Sequence, residues 1–420
     1  MSLTPSSLGL GHKLDGKATS GADGPVWRVD LRSVGFTGFV PKGEQWGLHL
    51  RPNPLCFADS NALIATFITR EDVNTLARRD QPGDALPLRL HGIFLGAEAG
   101  KVQSTKEWSI TRPRGGIIAV GGGKFAVLTP SMIALYSPSL EVVKDFKLSS
   151  EQQSHLWNFH SSPTGKVILL EYHYPEAKYQ WLDTDTLQPQ SASWSESLPV
   201  LSISDDKEIT SFRDTYVRSK AINIYEALVQ PRDRPERAVC RVIVGHGDDS
   251  CGEPEILSNE LLALWSPHEF CVVPKTGGNA LLKASFRDDE WLGSLLYSSA
   301  DGKRFAVTVS AHKSGSAFFD VDYHSVLKRI EIYDLPNPHP VYTLDAKQQK
   351  IRDVSGVALS PDGTRMAILA NGVVEVYQLP PQHTDALDFK DGGINRGTGI
   401  KRMDRVGHYP RFWRWSIPRF

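Results

Sequence analysis

An all-β fold is predicted for this chain of 420 residues, and three observations carry the prediction. Short apolar or alternating runs recur from residue 25 to residue 380, each ended by a small cluster of Asp, Asn, Ser, Pro or Gly. Strands show this period of two, and such clusters supply the backbone angles that hairpins need. The main clusters fall about 40 to 60 residues apart, the period of a propeller blade. Almost no stretch offers a competing helical period. Seven such units follow one another, so the expected architecture is a seven-bladed β-propeller of four-stranded antiparallel blades.

The units run in order. PLCFADSNALIATFI turns at Asp59, Ser60 and Asn61, and LRLHGIFLGAEAGKVQSTKEW completes the first. The second, residues 117 to 148, turns at Gly121 to Gly123; the third, LWNFHSSPTGKVILLEYHY, turns at Pro163-Thr164-Gly165 and continues into YQWLDTDTLQPQSASW. LPVLSISDDKEITSFR turns at Asp205-Asp206, and PEILSNELLALW at Ser258-Asn259. WLGSLLYSSADGKRFAVTVS turns at Ala300-Asp301-Gly302, with RIEIYDLPNPHPVYTL supplying two further strands. The last unit, residues 354 to 379, has a Pro361-Asp362-Gly363 turn and an Asn371-Gly372 turn between three strands. A meander of this kind is apolar on both faces and cannot bury them alone; radial packing of blades solves that.

The last unit lacks a fourth strand, whereas GPVWRVDLRSVGF near the start is an alternating strand without a meander of its own. It is expected to complete the last blade and so pin the ring shut. The organisation expected is therefore a flexible Gly/Ser/Thr-rich leader (1–24), the propeller (25–380), and a basic and aromatic tail (381–420).

The turns SPDGTRMAIL, SADGKRFAV and SPTGKVILL resemble the repeat of TolB-type propellers, relatives of WD40 proteins in which Ser-Pro-Asp-Gly links the first two strands of a blade. The Gly-His and Trp-Asp pairs of WD40 repeats are missing. The resemblance implies architecture; members of such families include binding platforms, protease-associated domains and lactonase-like enzymes, so it does not select a function.

Composition narrows the partners. With 47 Lys and Arg against 48 Asp and Glu, the chain has a formal net charge of −1, so no overall field draws it to nucleic acid or an acidic membrane. No apolar run reaches the ~18 residues that span a bilayer. The leader has no signal-peptide pattern, so the expected location is cytoplasmic unless a signal has been removed. The four cysteines, Cys56, Cys240, Cys251 and Cys271, form no C-x-x-C pair. Cys251 and Cys271 flank a stretch of strand, turn and strand and could meet as a disulfide; four buried thiols is the plainer expectation.

No GxSxG elbow, dinucleotide fingerprint or HExxH motif is present, and GGGK at Gly121 to Lys124 lacks the rest of a phosphate loop. Two polar clusters remain. In FFDVDYH, Asp320, Asp322 and His324 alternate, so on a strand they share one face and could hold a divalent metal. A hydrated face is the plainer and preferred reading. In VGHGDDSCGE, His246, Asp248, Asp249 and Glu253 crowd a Gly-rich inter-blade loop that would suit a polar ligand, although a solvated, self-capped turn is preferred.

Two charged, Pro-containing inserts, residues 71 to 87 and 229 to 239, are expected to form extended rim loops. The tail ends HYPRFWRWSIPRF, where Trp413, Trp415 and Ile417 alternate with Arg414 and Ser416; docking on the propeller is expected over a free nucleic-acid hook. The function expected is a non-enzymatic module that binds a protein or small molecule through loops on one face. A lactonase-like hydrolase with an axial metal is the alternative.

Overall fold

The computed structural model describes residues 19–20, 24–37, 54–70, 88–110, 116–121, 123–129, 131–173, 177–191, 200–217, 222–231, 237–244, 254–265, 269–277, 280–287, 289–312, 325–351 and 354–382. They form seven antiparallel meanders arranged as blades of a propeller. Blade one comprises Leu55–Asp59, Ala62–Arg70, Leu88–Gly96 and Val102–Ile110; blade two Gly116–Gly121, Lys124–Leu128, Met132–Tyr136 and Val142–Lys147. Blade three comprises Leu156–Ser161, Val167–His173, Ala177–Asp183 and Pro189–Ser191; blade four Ser202–Ile203, Ile209–Val217, Ile222–Gln230 and Arg237–Val244. Blade five comprises Glu255–Ile256, Leu261–Trp265, Glu269–Pro274 and Leu282–Ser285. Blade six comprises Glu290–Ser298, Arg304–His312, Ser325–Asp334 and Tyr342–Asp345. Blade seven takes Val354–Leu359, Arg365–Ala370 and Val373–Gln378 from the end of the propeller and Trp27–Asp30 from its start.

That closing strand lies where the sequence places it. Trp27, Arg28, Val29 and Asp30 pair antiparallel with Val376, Glu375, Val374 and Val373. The Trp27 indole then crosses to blade one, donating to the Ala97 carbonyl at 2.7 Å. Gly100 lies directly beneath its ring, where an added Cβ would stand 2.4 Å from the indole. Leu31 is fully buried at the same junction, and Phe36 meets the edge of Phe67 in blade one at 5.0 Å between centroids. One short segment thus completes blade seven and clasps blade one.

The described residues bury seven apolar clusters, one at each blade–blade interface. Ile64 and Ile68 of blade one pack with Phe125 and Tyr136 of blade two, while the alternate residues Leu63, Ala65 and Phe67 pack with Leu369 and Val374 of blade seven. The same alternation places Leu182 between blades two and three and Trp181 between three and four. The remaining three clusters join blades four to five, five to six and six to seven. Because both faces of every sheet are covered, strands such as VILLEYH are apolar almost throughout. Each buried Leu, Ile, Val or Phe contributes about 1.5–3 kcal/mol.

Where the first two strands of a blade meet, the turns share a hydrogen-bond scheme. In blade seven the Ser360 hydroxyl donates to Asp362 at 2.6 Å and accepts from the Arg365 amide at 2.9 Å, and Asp362 accepts from the Thr364 amide at 3.0 Å. Ser299, Asp301 and the amides of Lys303 and Arg304 repeat this in blade six. Gly165, Gly302 and Gly363 supply the left-handed fourth position, with φ of 71°, 67° and 68°. In blade four Lys207 takes that position at φ 61°, a conformation that costs a residue with a Cβ roughly 1–2 kcal/mol.

Two features go beyond the sequence reading. Ser150–His155 forms a short α-helix (α1) between blades two and three, opened by a capping box of Ser149 and Gln152. Thr19 and Ser20, in the segment read as a leader, pair parallel with Tyr342 and Thr343 at the outer edge of blade six. Among the described residues no helix is long and apolar enough to cross a membrane.

Candidate functional site: the axial cavity and the two ends of the ring

The innermost strands of all seven blades surround a central cavity of about 350 Å³. Its lining includes Pro163, Thr164, Ala300 and Pro361, which belong to turns between first and second strands. The cavity therefore lies toward that end of the ring.

Its wall is divided by polarity. Blades seven, one and two contribute only apolar lining residues, among them Phe57, Ile118, Ala119, Ala358 and Leu359, with Cys56 the softest of them. Blades three to six contribute His160, Ser161, Ser202, Glu255 and Ser298 among their lining residues. The His160 Nε2 lies 3.1 Å from the Glu171 carboxylate, and both side chains are buried in blade three. Ser202 is engaged with Thr210 at 2.6 Å, and its hydroxyl accepts the Ile256 amide at 3.0 Å, tying blade four to blade five. Glu255 keeps part of its surface exposed at the cavity wall.

Chemically the wall can hold and orient a molecule, and one group is ruled out as a nucleophile. Burial pushes the Cys56 thiol up to about 12, so it stays protonated and unreactive near neutral pH. Glu255 is the single carboxylate among the lining residues described. No three His, Cys, Asp or Glu side chains gather into a metal-binding group among the described residues. An axial metal would have to draw its other donors from outside them.

The two ends of the ring differ. Connections from first to second and third to fourth strands meet at one end, and they are short: the longest run from Pro274 to Leu282 and from Asp334 to Tyr342. They also interlock. Gly165 of blade three sits so close to blade two that an added Cβ would lie 1.7 Å from the Ala119 carbonyl oxygen, and Gly302 of blade six abuts Ser258 of blade five. Thr164 donates to Asp205 of blade four at 2.9 Å, Lys275 of blade five pairs with Glu208 of blade four, and Arg365 of blade seven donates to the Ser60 carbonyl of blade one at 3.1 Å. The other end carries the longest connections: Asp30 to Leu55, Arg70 to Leu88, Ser191 to Ser202, Val244 to Glu255 and His312 to Ser325.

Most residues singled out from the sequence fall in those connections. His246, Asp248, Asp249, Cys251 and Glu253 lie outside the described residues, as do Asp320, Asp322 and His324. The first group follows the strand ending at Val244 and precedes the one starting at Glu255; the second precedes Ser325. Cys271 is half-buried on the third strand of blade five, opposite Leu264 and Lys283, while its proposed disulfide partner Cys251 lies outside the description. The insert 71 to 87 and the tail from residue 383 onward are likewise outside it. Sequence reasoning missed the cavity wall. His160, Ser202 and Glu255 come from three separate blades, and no local motif marks them.

No protein-family model matches the chain, and no curated protein matches it. Among solved structures it is similar to a chain of a mitotic checkpoint complex at 11% identity and a TM-score of 0.41, covering 90% of this chain and 98% of that one. A chain of Kuenenia stuttgartiensis hydrazine synthase is similar at 14% identity and a TM-score of 0.42, covering 79% and 96%. An oligogalacturonate lyase in complex with manganese is similar at 12% identity and 0.36, covering 60% and 68%. Likenesses this distant bear on neither partner nor reaction, and the assignment of a propeller rests on the strand pairing itself.

Proposed function

We propose that this chain is a binding platform that engages a protein partner through the end of the ring bearing the long connections. The observation that carries this reading is the contrast between the two ends. One is closed by short turns that lock neighbouring blades together; the other carries the longest connections on a rigid seven-bladed base. Long surface connections presented by a folded scaffold are where recognition surfaces are commonly built. A near-neutral chain suits a partner recognised by shape and local contacts rather than by a long-range field.

The test compares three immobilised proteins by cross-linking mass spectrometry of what each retains from its native extract. One is the intact chain. The second has residues 71 to 87 and 313 to 324 replaced by Gly-Ser linkers, and the third carries Lys166→Glu with Lys303→Glu at the opposite end. Species held by the first and third but lost from the second, with cross-links to the connection-bearing end, support the reading. Loss from the third with retention by the second overturns it.

A further inference from the structure

We propose that the outer edge of blade six is a strand-addition site for an extended peptide of small side chains, and that residues 18–22 of the same chain are its built-in occupant. Two independent observations lead there. The first is the pairing itself: Thr19 and Ser20 lie parallel to Tyr342 and Thr343, giving blade six a fifth strand. That blade is already complete without them, because its own four strands pair in order. The segment is thus added to a finished sheet, the arrangement by which sheet edges bind extended peptides.

The second observation is the composition of the edge. An outer strand presents unpaired N–H and C=O groups, and charged side chains or Pro on it discourage pairing with a further strand. Lys106, Lys144, Pro189, Arg241, Lys283 and Arg28 stand on the outer strands of blades one to five and seven. The outer strand of blade six, Tyr342-Thr343-Leu344-Asp345, has no Lys, Arg or Pro and pairs with Arg329 to Ile332 without a register shift. Its one charged residue, Asp345, is engaged by the following turn, accepting the Gln348 amide at 2.9 Å. The strand lacks the usual deterrents, and the N-terminal segment covers it.

The class of peptide follows from the occupant. Around the pair the chain reads Ala18-Thr19-Ser20-Gly21-Ala22, all small and uncharged. Tyr342 and Leu344 are packed into the core between blades six and seven, so main-chain hydrogen bonds are the chief source of affinity at this edge. Two paired residues supply few such bonds, each of modest net worth, which makes the occupant displaceable. Its tether to blade seven through Trp27 keeps it at high local concentration. The edge lies on the outside of the ring, apart from the connection-bearing end, so this site and the partner surface stand or fall separately.

Hydrogen exchange over residues 341–346 of the full-length chain reads the site. The edge-facing amides there should be protected, and equally so over about a hundredfold range of protein concentration, because the occupant acts within one chain. Thr19→Pro with Ser20→Pro removes both donors and should speed that exchange about fivefold or more while leaving the other blades unchanged. Thr19→Asp with Ser20→Asp, a poor strand former, should act in the same direction. The peptide DGKATSGADG, added at millimolar concentration to the proline variant, should restore protection, and DGKAPPGADG should not. Unchanged exchange in both variants overturns the proposal, as does a loss spread over all blades in both. Protection that grows with protein concentration, failure of DGKATSGADG to restore it, or equal rescue by the two peptides overturns it too.

Discussion

Arg304 and Asp334, neither exposed to solvent, face each other as a bidentate pair inside blade six, with Nε to Oδ1 at 2.5 Å and Nη2 to Oδ2 at 2.6 Å. The remaining nitrogen of the guanidinium reaches out of the blade, donating to the Gly363 carbonyl at 2.6 Å and the Pro380 carbonyl at 2.8 Å in blade seven. One side chain thus ties the third strand of its own blade to the first turn and the exit of the next. A guanidinium suits this position because its donors diverge in one plane, which a lysine ammonium cannot reproduce.

Removing one partner of that pair leaves a buried charge unmatched, so Arg304→Leu should destabilise the fold by about 3–5 kcal/mol. The double variant Arg304→Leu with Asp334→Leu should recover part of that loss, because neither charge is then stranded. Denaturant titration of the two single variants and the double variant measures the coupling. Additive losses would mean that the pair does not act as a unit.

Among the described glycines, Gly165 is the least able to accept a side chain. Its φ of 71° disfavours a Cβ, and that Cβ would lie 1.7 Å from backbone oxygen in the neighbouring blade. Gly165→Ala should lower stability by at least about 2 kcal/mol. Gly35→Ala, also at positive φ but in open space, should cost about half as much, which thermal melts of both variants would check. Lys207→Gly runs the other way: it relieves a strained backbone and should gain about 0.5–1 kcal/mol after its larger unfolded-state entropy is counted.

Trp27 closes the ring through one hydrogen bond and its packing on Gly100. Trp27→Ala should cost about 2–4 kcal/mol, the lower part of the range for a large aromatic because the ring is not wholly buried. Hydrogen exchange should show the loss concentrated in blades seven and one. A uniform rise in exchange around the ring would count against a local clasp.

Stability should fall on mild acidification through His91. Its ring lies against Phe67, 5.2 Å between stacked centroids, with Phe36 at its edge, and its Nε2 is 2.8 Å from the Thr69 hydroxyl. Burial holds its pKa below the ordinary 6.5; Glu107 opposes that shift and Arg89 adds to it. The folded state therefore favours the neutral ring. Its contribution is complete above the unfolded value and is lost as pH falls through the lower folded value. Melting temperature should drop between about pH 7 and pH 5, and the drop should be smaller in His91→Gln. Equal drops in the two proteins would place the sensitivity elsewhere.

What could be read from sequence was local. Hairpins announce themselves because turn residues and their flanking strands are neighbours in the chain, and the closing strand was legible because Trp27 to Leu31 alternate without a partner nearby. The capping box that starts α1 was written in Ser149 and Gln152, yet six residues are too few to show a helical period. The candidate residues taken from sequence came from polar clusters contiguous in the chain, the pattern a single sequence makes visible.

The sequence by itself therefore determined the number of blades, their internal order and the strand that closes the ring, because hydrogen-bonded hairpins are set by nearby residues. Only the tertiary structure decided which side chains share a space. Arg304 meets Gly363 and Pro380, Glu255 joins His160 and Ser202 around one cavity, and the apolar and polar sectors face each other across the axis. Those relations depend on how separate blades are angled about a common axis, and radial packing brings together residues that no local period connects.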